Sequence, residues 1–195
     1  SFATPLAAQE YERARAGDGD EGPYLFWRDR FIPFSIDANG CPDTDLGQTR
    51  AAIVRAFNSW ESQPCTDVFF TFEGMIDGAE PNHFTNEADG HNLVIWLWDW
   101  PDDWNPQEVA LTNFVWNVRT GEILDADICL NGEYFYWTAS EITVNDIENV
   151  MAHEIGHLLG FGHTEDPDAT MYAAYTEGET NKRDLDATDI RGLCE

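Results

Sequence analysis

No run of about eighteen apolar residues occurs in this 195-residue chain, so nothing in it is expected to insert into a membrane. Basic residues are scarce: 10 Lys and Arg stand against 37 Asp and Glu, a formal charge of −27. That balance excludes nucleic acid and anionic membrane surfaces as partners. There is no EF-hand spacing, although Asp18-Gly19-Asp20-Glu21, Glu165-Asp166-Pro167-Asp168 and Asp184-Leu185-Asp186 offer oxygen ligands for Ca²⁺. Cysteine is sparse, and Cys41, Cys65, Cys129 and Cys194 form no Cys-x-x-Cys pair. They read as disulfides of a secreted, extracellular protein. Of the three connectivities, Cys41 with Cys65 and Cys129 with Cys194 is favoured, the first bracketing one helix and the second tying the chain's end to a sheet. A basic-then-apolar leader is missing before the opening Ser1, and the expectation is a processed or trimmed product.

What is present argues a folded domain. Apolar residues make up 43% of the chain, with eight Trp and twelve Phe, which is far from a composition disordered by charge. The length suits one domain with a sizeable core, acting as a monomer.

The most informative stretch runs from His153 to His163 and is preceded by Asn145 to Ala152. Asn145, with Glu148 three residues on, forms a capping-box pattern that predicts a helix from 145 to a glycine stop at Gly160. On that helix His153 and His157 lie one turn apart on one face, a spacing that suits two imidazoles converging on Zn²⁺. A straight helix cannot deliver a third ligand from position 163. A left-handed residue at Gly160 would turn the chain back so that His163 completes the set. Three protein ligands leave a fourth position open, the arrangement of a catalytic and not a structural zinc. Glu154 lies beside His153 and is placed to act as general base, taking a proton from an activated water and handing it to a leaving amine. The reaction class is amide hydrolysis without a covalent intermediate. A lone His-x-x-x-His is common on buried helices; five specified residues in eleven are not.

His153-Glu154-x-x-His157-x-x-Gly160-x-x-His163 resembles the metzincin zinc signature, and Asp168 to Tyr175, with Met171 at its centre, resembles the methionine turn of that group. Thr164, the Met171-Tyr172 pair and Tyr175 resemble the matrixin branch, the matrix-metalloproteinase-like one. Ala173 stands where matrixins usually have proline, which is expected to loosen the specificity loop. It also stands where astacin-like relatives have a zinc-binding tyrosine, so no fifth ligand of that kind is expected. The resemblance implies that Met171 packs beneath the three histidines. It implies an edge strand above the cleft whose Ala110, Leu111, Thr112 and Asn113 contact an extended substrate. It also implies a loop from Tyr172 to Arg183, with Tyr172 and Tyr175, that walls the pocket for the residue after the cut. The acidic composition of that loop suggests tolerance of basic side chains. Matrixins hold structural zinc and calcium in the loop corresponding to the one before Asn92. The ligand pattern is not matched here, so His83 and His91 read as surface residues. No segment resembles the cysteine switch of matrixin propeptides.

Along the rest of the chain, strands are expected at Phe26–Ile36, Val68–Phe72, Asn92–Trp98, Val109–Val118 and Ile123–Leu130. Pro33 marks the first as edge-like or bulged. The unbroken apolar run of the third implies burial on both faces. A helix from Asp45 to Trp60 presents Ile53, Ala56, Phe57 and Trp60 on one face, and a last helix starts after Asp186 or Thr188. The expectation is an α+β, metzincin-like (zincin-like) domain over residues 24–195. It combines a twisted mixed five-stranded sheet with long helices, a zinc helix ending at a glycine turn, and a small irregular C-terminal part. Residues 1–23 are expected as an irregular lead-in or prosegment remnant. The function expected is a secreted zinc endopeptidase acting on polypeptide; the alternative is a non-catalytic acidic calcium-binding module on the same fold.

Overall fold

A computed structural model describes residues 11–17, 21–78, 80–82, 87–140 and 144–195. Asp18, Asp20 and His83 lie outside the described residues. Five strands form one mixed sheet: β1 (Phe31–Asp37), β2 (Phe69–Ile76), β3 (Leu93–Leu97), β4 (Ala110–Trp116) and β5 (Ile123–Asn131). Their order is β2-β1-β3-β5-β4, parallel except for the antiparallel β4–β5 pair. Adjacent parallel strands need a crossover, and between β1 and β2 it is helix α1 (Leu46–Glu61). Asp45 starts that helix by accepting from the backbone N–H groups of Gly47 and Gln48.

The 3.6-residue spacing of Thr49, Ala52, Ile53, Ala56, Phe57 and Trp60 buries one face of α1 against the sheet and against helix α2 (Ile147–Leu158). The Phe57 ring stacks on Phe34 of β1 at 3.8 Å between centroids. Trp60 donates its indole N–H to the carbonyl of Ala152 at 2.8 Å, so a large ring is buried with its polar atom satisfied. Truncating Trp60 would cost about 3–5 kcal/mol. Strand β3 is covered on both sides, as its apolar run implied. Val94 and Trp96 join the main core, whereas Leu93, Ile95 and Leu97 pack with Trp100 and Cys129 on the opposite face.

Several expectations need correction. β1 is interior and not an edge, so of the two readings of Pro33 the bulged one holds: the register against β2 slips between Phe34 and Ser35, and β3 pairs only with Ser35 and Ile36. Asn145 does not cap α2. It belongs to a two-stranded ribbon, β6 (Trp137–Thr138) with β7 (Asn145–Asp146), and its side chain donates to Tyr136 O. Asp146 takes the cap, accepting from Asn149 N–H at 2.8 Å. A bidentate pair with Arg183, at 2.6 and 2.8 Å, anchors the same carboxylate.

The disulfide pairing is also different: Cys65 bonds to Cys194, while Cys41 and Cys129 are free and buried. Cys65 follows the end of α1 and Cys194 closes the last helix, α3 (Ala187–Cys194). Cys129 is held inside the sheet between β3 and β4, and Cys41 sits in the main core on the other side. Within the expected lead-in, residues 11–16 pair with the chain around Tyr24 and Phe161.

Candidate active site

Helix α2 lines the cleft along one face with Asn149, Val150, His153, Glu154 and His157. The helix stops as a Schellman turn: Gly160 N–H donates to His157 O at 2.6 Å and Phe161 N–H to Gly156 O at 3.0 Å. Gly160 supplies the left-handed residue, with φ of +91°, and a side chain there would also strike Leu25 O. The reversal brings His163 back, so that its Nε2 lies 3.2 Å from His153 Nε2 and 3.1 Å from His157 Nε2.

The other ring nitrogens decide what those contacts mean. His153 Nδ1 is 2.7 Å from Thr170 O and His157 Nδ1 is 2.9 Å from Phe161 O. A carbonyl only accepts, so both rings must carry their proton on Nδ1 and turn a bare Nε2 lone pair inward. Lone pairs facing one another at such distances repel unless a cation sits between them, and nitrogens about 2.0–2.1 Å from a tetrahedral ion stand a little over 3 Å apart. The donor set therefore fits zinc. Burial keeps the rings neutral: the basicity of His153 and His157 is lowered and that of His163 falls to about 4, with neighbouring imidazole and Lys182 charge adding to the fall at His153 and His163. Among the described residues these three histidines are the one His/Cys/Asp/Glu group whose ligand atoms converge.

Glu154 points from the buried side of α2 into the same cleft, 5% exposed. Thr112 Oγ1 on β4 donates to Glu154 Oε2 at 2.6 Å. Burial pushes the carboxyl up to about 7 against that hydrogen bond, with Glu108 adding to the rise.

Met171 is buried and packs against α2 at Gly156, the residue before His157. Its turn is tied to the third histidine by Thr164 N–H, which donates to Met171 O at 3.0 Å, and to α3 by Asp189, whose carboxylate accepts from Thr170 N–H and Met171 N–H at 2.7 and 3.2 Å. Asp189 also closes the capping box of α3. Sequence reading found Met171 but missed Asp189, whose only visible signal was its place in a helix-starting Asp-x-x-Asp. It missed Gly156 as well, a mid-helix glycine between two motif positions.

The cleft encloses about 830 Å³. Of the expected substrate contacts, Ala110, Leu111, Thr112 and Tyr175 line it, while Asn113 and Tyr172 do not. Alternation along β4 turns Asn113 away toward Cys129 Sγ, and Tyr172 bridges to Thr164. The loop after Met171 contributes Ala173, Tyr175, Glu177 and Lys182. Lys182 was not anticipated: it is buried, bonded to Ala174 O at 2.6 Å and paired with Glu179 at 3.1 Å. His91 is exposed, as expected.

The sequence model of a protein family described as Matrixin matches residues 98–195. The chain is 42% identical over 191 residues to human neutrophil collagenase, covering 93% of this chain and 37% of that protein. It is 42% identical over 73 residues to metalloendoproteinase 5-MMP of Arabidopsis thaliana, 36% of this chain and 20% of that protein. To human matrix metalloproteinase-16 it is 26% identical over 170 residues, 86% of this chain and 26% of that protein. The chain thus spans well under half the length of these relatives.

Proposed function

The chain belongs to the matrixin family, and from that membership we propose that it is a zinc-dependent endopeptidase that cuts extended polypeptides outside the cell, with Glu154 as its general base. The observation that carries the proposal is the commitment of two Nδ1 protons to backbone carbonyls, which turns bare Nε2 atoms toward one point with a carboxylate beside it. His153, His157 and His163 hold the metal. Bound there, zinc supplies Lewis acidity that activates a water and polarises the scissile carbonyl.

The chain's own groups do the rest. Among the described residues strand β4 is paired on one side only, by β5, so its outer edge offers backbone donors and acceptors to which a peptide adds as a further strand along Ala110 to Thr112. Thr112 holds the Glu154 carboxylate in place. Glu154 takes a proton from the attacking water and delivers it to the leaving nitrogen. A carboxyl whose proton affinity lies near neutrality can do both. The Cys65–Cys194 disulfide supports an oxidising, extracellular setting. Tyr175 and Lys182 wall the pocket for the residue after the cut, and calcium on the acidic loops is a second proposed ion.

The test measures bound metal in the purified protein and its cleavage of denatured casein, beside a Glu154→Ala variant. About one zinc per chain and activity lost in the variant are expected. Zinc-free folded protein, or full hydrolysis by Glu154→Ala, would sink the proposal.

A further inference from the structure

The turn that carries His163 is gripped from outside by chain near the N-terminus. Ala14 N–H donates to Gly160 O and Gly162 N–H donates to Glu12 O, each at 2.9 Å, two antiparallel rungs on either side of the Arg13–Phe161 bridge. The far edge of the same short segment is fastened in turn: Leu25 N–H donates to Ala14 O at 2.9 Å and Ala16 N–H to Pro23 O at 2.8 Å. Tyr11 lays its ring 6.1 Å from that of Phe161 and donates its hydroxyl to Glu195 at 3.2 Å.

The turn is cut to receive this segment. Gly162 has no left-handed φ to require glycine, yet a Cβ there would come within 3.2 Å of Glu12 Cβ. Gly192 on α3 is bare where a Cβ would strike the Phe161 ring first and then press to 2.7 Å on the Tyr11 ring.

What the grip holds matters for the ligands. Phe161 O is the acceptor that orients His157, and His163 lies two residues further on. His153 and His157 each have a ring nitrogen anchored on a carbonyl. Among the described residues no carbonyl anchors the ring of His163, which contacts the other two imidazoles. Its aim is therefore set by the backbone that carries it, and that backbone is clamped between α2 and residues 12–14.

We propose that residues 11–16 form a strap that positions His163 as a zinc ligand, acting through the Ala14–Gly160 and Glu12–Gly162 rungs. The proposal rests on the zinc reading above. Residues acting through ligand orientation change metal affinity more than they change fold stability, and losses of about 10- to 100-fold are typical of such supports.

The experiment uses the full chain loaded with zinc and follows zinc release into an excess of a chromophoric chelator, together with the melting temperature of the metal-free protein. Ala14→Pro deletes the N–H that Gly160 O accepts, Ala14→Gly keeps it, and Gly162→Ala pushes the seam apart from the other side. Phe57→Leu, a core change remote from the turn, calibrates how much release follows from lost stability alone. Ala14→Pro and Gly162→Ala are expected to release zinc about 10- to 100-fold faster, Ala14→Gly to behave as wild type, and Phe57→Leu to lower the melting temperature with little effect on release. Release from both strap variants no faster than from Phe57→Leu at equal stability would overturn the strap while leaving the zinc site standing. A wild-type chain that holds no zinc would overturn both. Should Ala14→Pro not fold, Gly162→Ala decides alone.

Discussion

The Met171 sulfur occupies the space that a side chain on Gly156 would need: a Cβ built there would lie 2.1 Å from Sδ and 2.9 Å from the Trp60 ring. A glycine inside α2 thus lets the methionine rise directly under the helix that carries His153 and His157. Alanine normally favours a helix interior over glycine by about 1 kcal/mol. At this position Gly156→Ala is expected to destabilise the metal-free protein by about 1–3 kcal/mol through overpacking. Urea denaturation of both proteins measures it, and a more stable variant would show that Met171 moves aside freely.

The Glu154–Thr112 pair gives a graded test of the chemistry. Glu154→Gln is expected to lower kcat by about 10²- to 10⁴-fold with zinc content unchanged. Thr112→Val removes one hydrogen bond to the charged carboxylate and should cost about tenfold. Because that bond favours the ionised form, its loss also moves the acidic limb of the pH–rate profile upward. A profile that stays in place would mean that Thr112 does not hold the base.

Cys65 and Cys194 are separated by 129 residues and join the end of α1 to the end of α3. Replacing both with serine is expected to cost about 2–5 kcal/mol in guanidinium denaturation. Since Asp189 on α3 holds the backbone of Thr170 and Met171, zinc should also be stripped more easily by a chelator. Unchanged zinc retention would separate the disulfide from the site.

Burial pushes the carboxyl of Asp127 on β5 up to about 7, although Asn82 and Leu93 donate backbone N–H groups to it. In the unfolded chain it titrates near about 3.9. Its favourable contribution is therefore complete below about pH 4, drains as the pH rises toward 7, and is gone above that, because the unfolded state gives up the proton first. Denaturation of wild type and Asp127→Asn across this range should show a stability difference that changes by a few kcal/mol, on the order of the shift, between pH 4 and 7 and is flat beyond. A difference independent of pH would refute the assignment.

The convergence of His153, His157 and His163 was legible because it is local: five residues within eleven carry their own geometry, and the glycine that reverses the chain sits inside the motif. The five strands of the main sheet and α1 were legible for a similar reason, since period-two and period-3.6 apolar patterns depend only on neighbours. Pairings across the chain were not. Four cysteines carry no distance information, so Cys65–Cys194 had no signature. Asn145 and Asp146 are both good caps, and the choice fell to Arg183, 37 residues along, which needs the Asp146 carboxylate. Lys182 carried no signal in its neighbours and is buried at the cleft, because Ala174 O and Glu179 are folded back to meet it. Asp189 looked like part of a helix start and proved to be what the methionine turn hangs from.

The dependence of the Met171 turn on Asp189 gives assembly a direction in time. During ribosomal synthesis the histidine cluster is made well before the carboxylate that steadies its foundation. A nascent chain therefore carries all three imidazoles while the Met171 turn still lacks its tie to α3, and the floor of the cleft becomes complete only after the stretch around Asp189 has emerged and folded back.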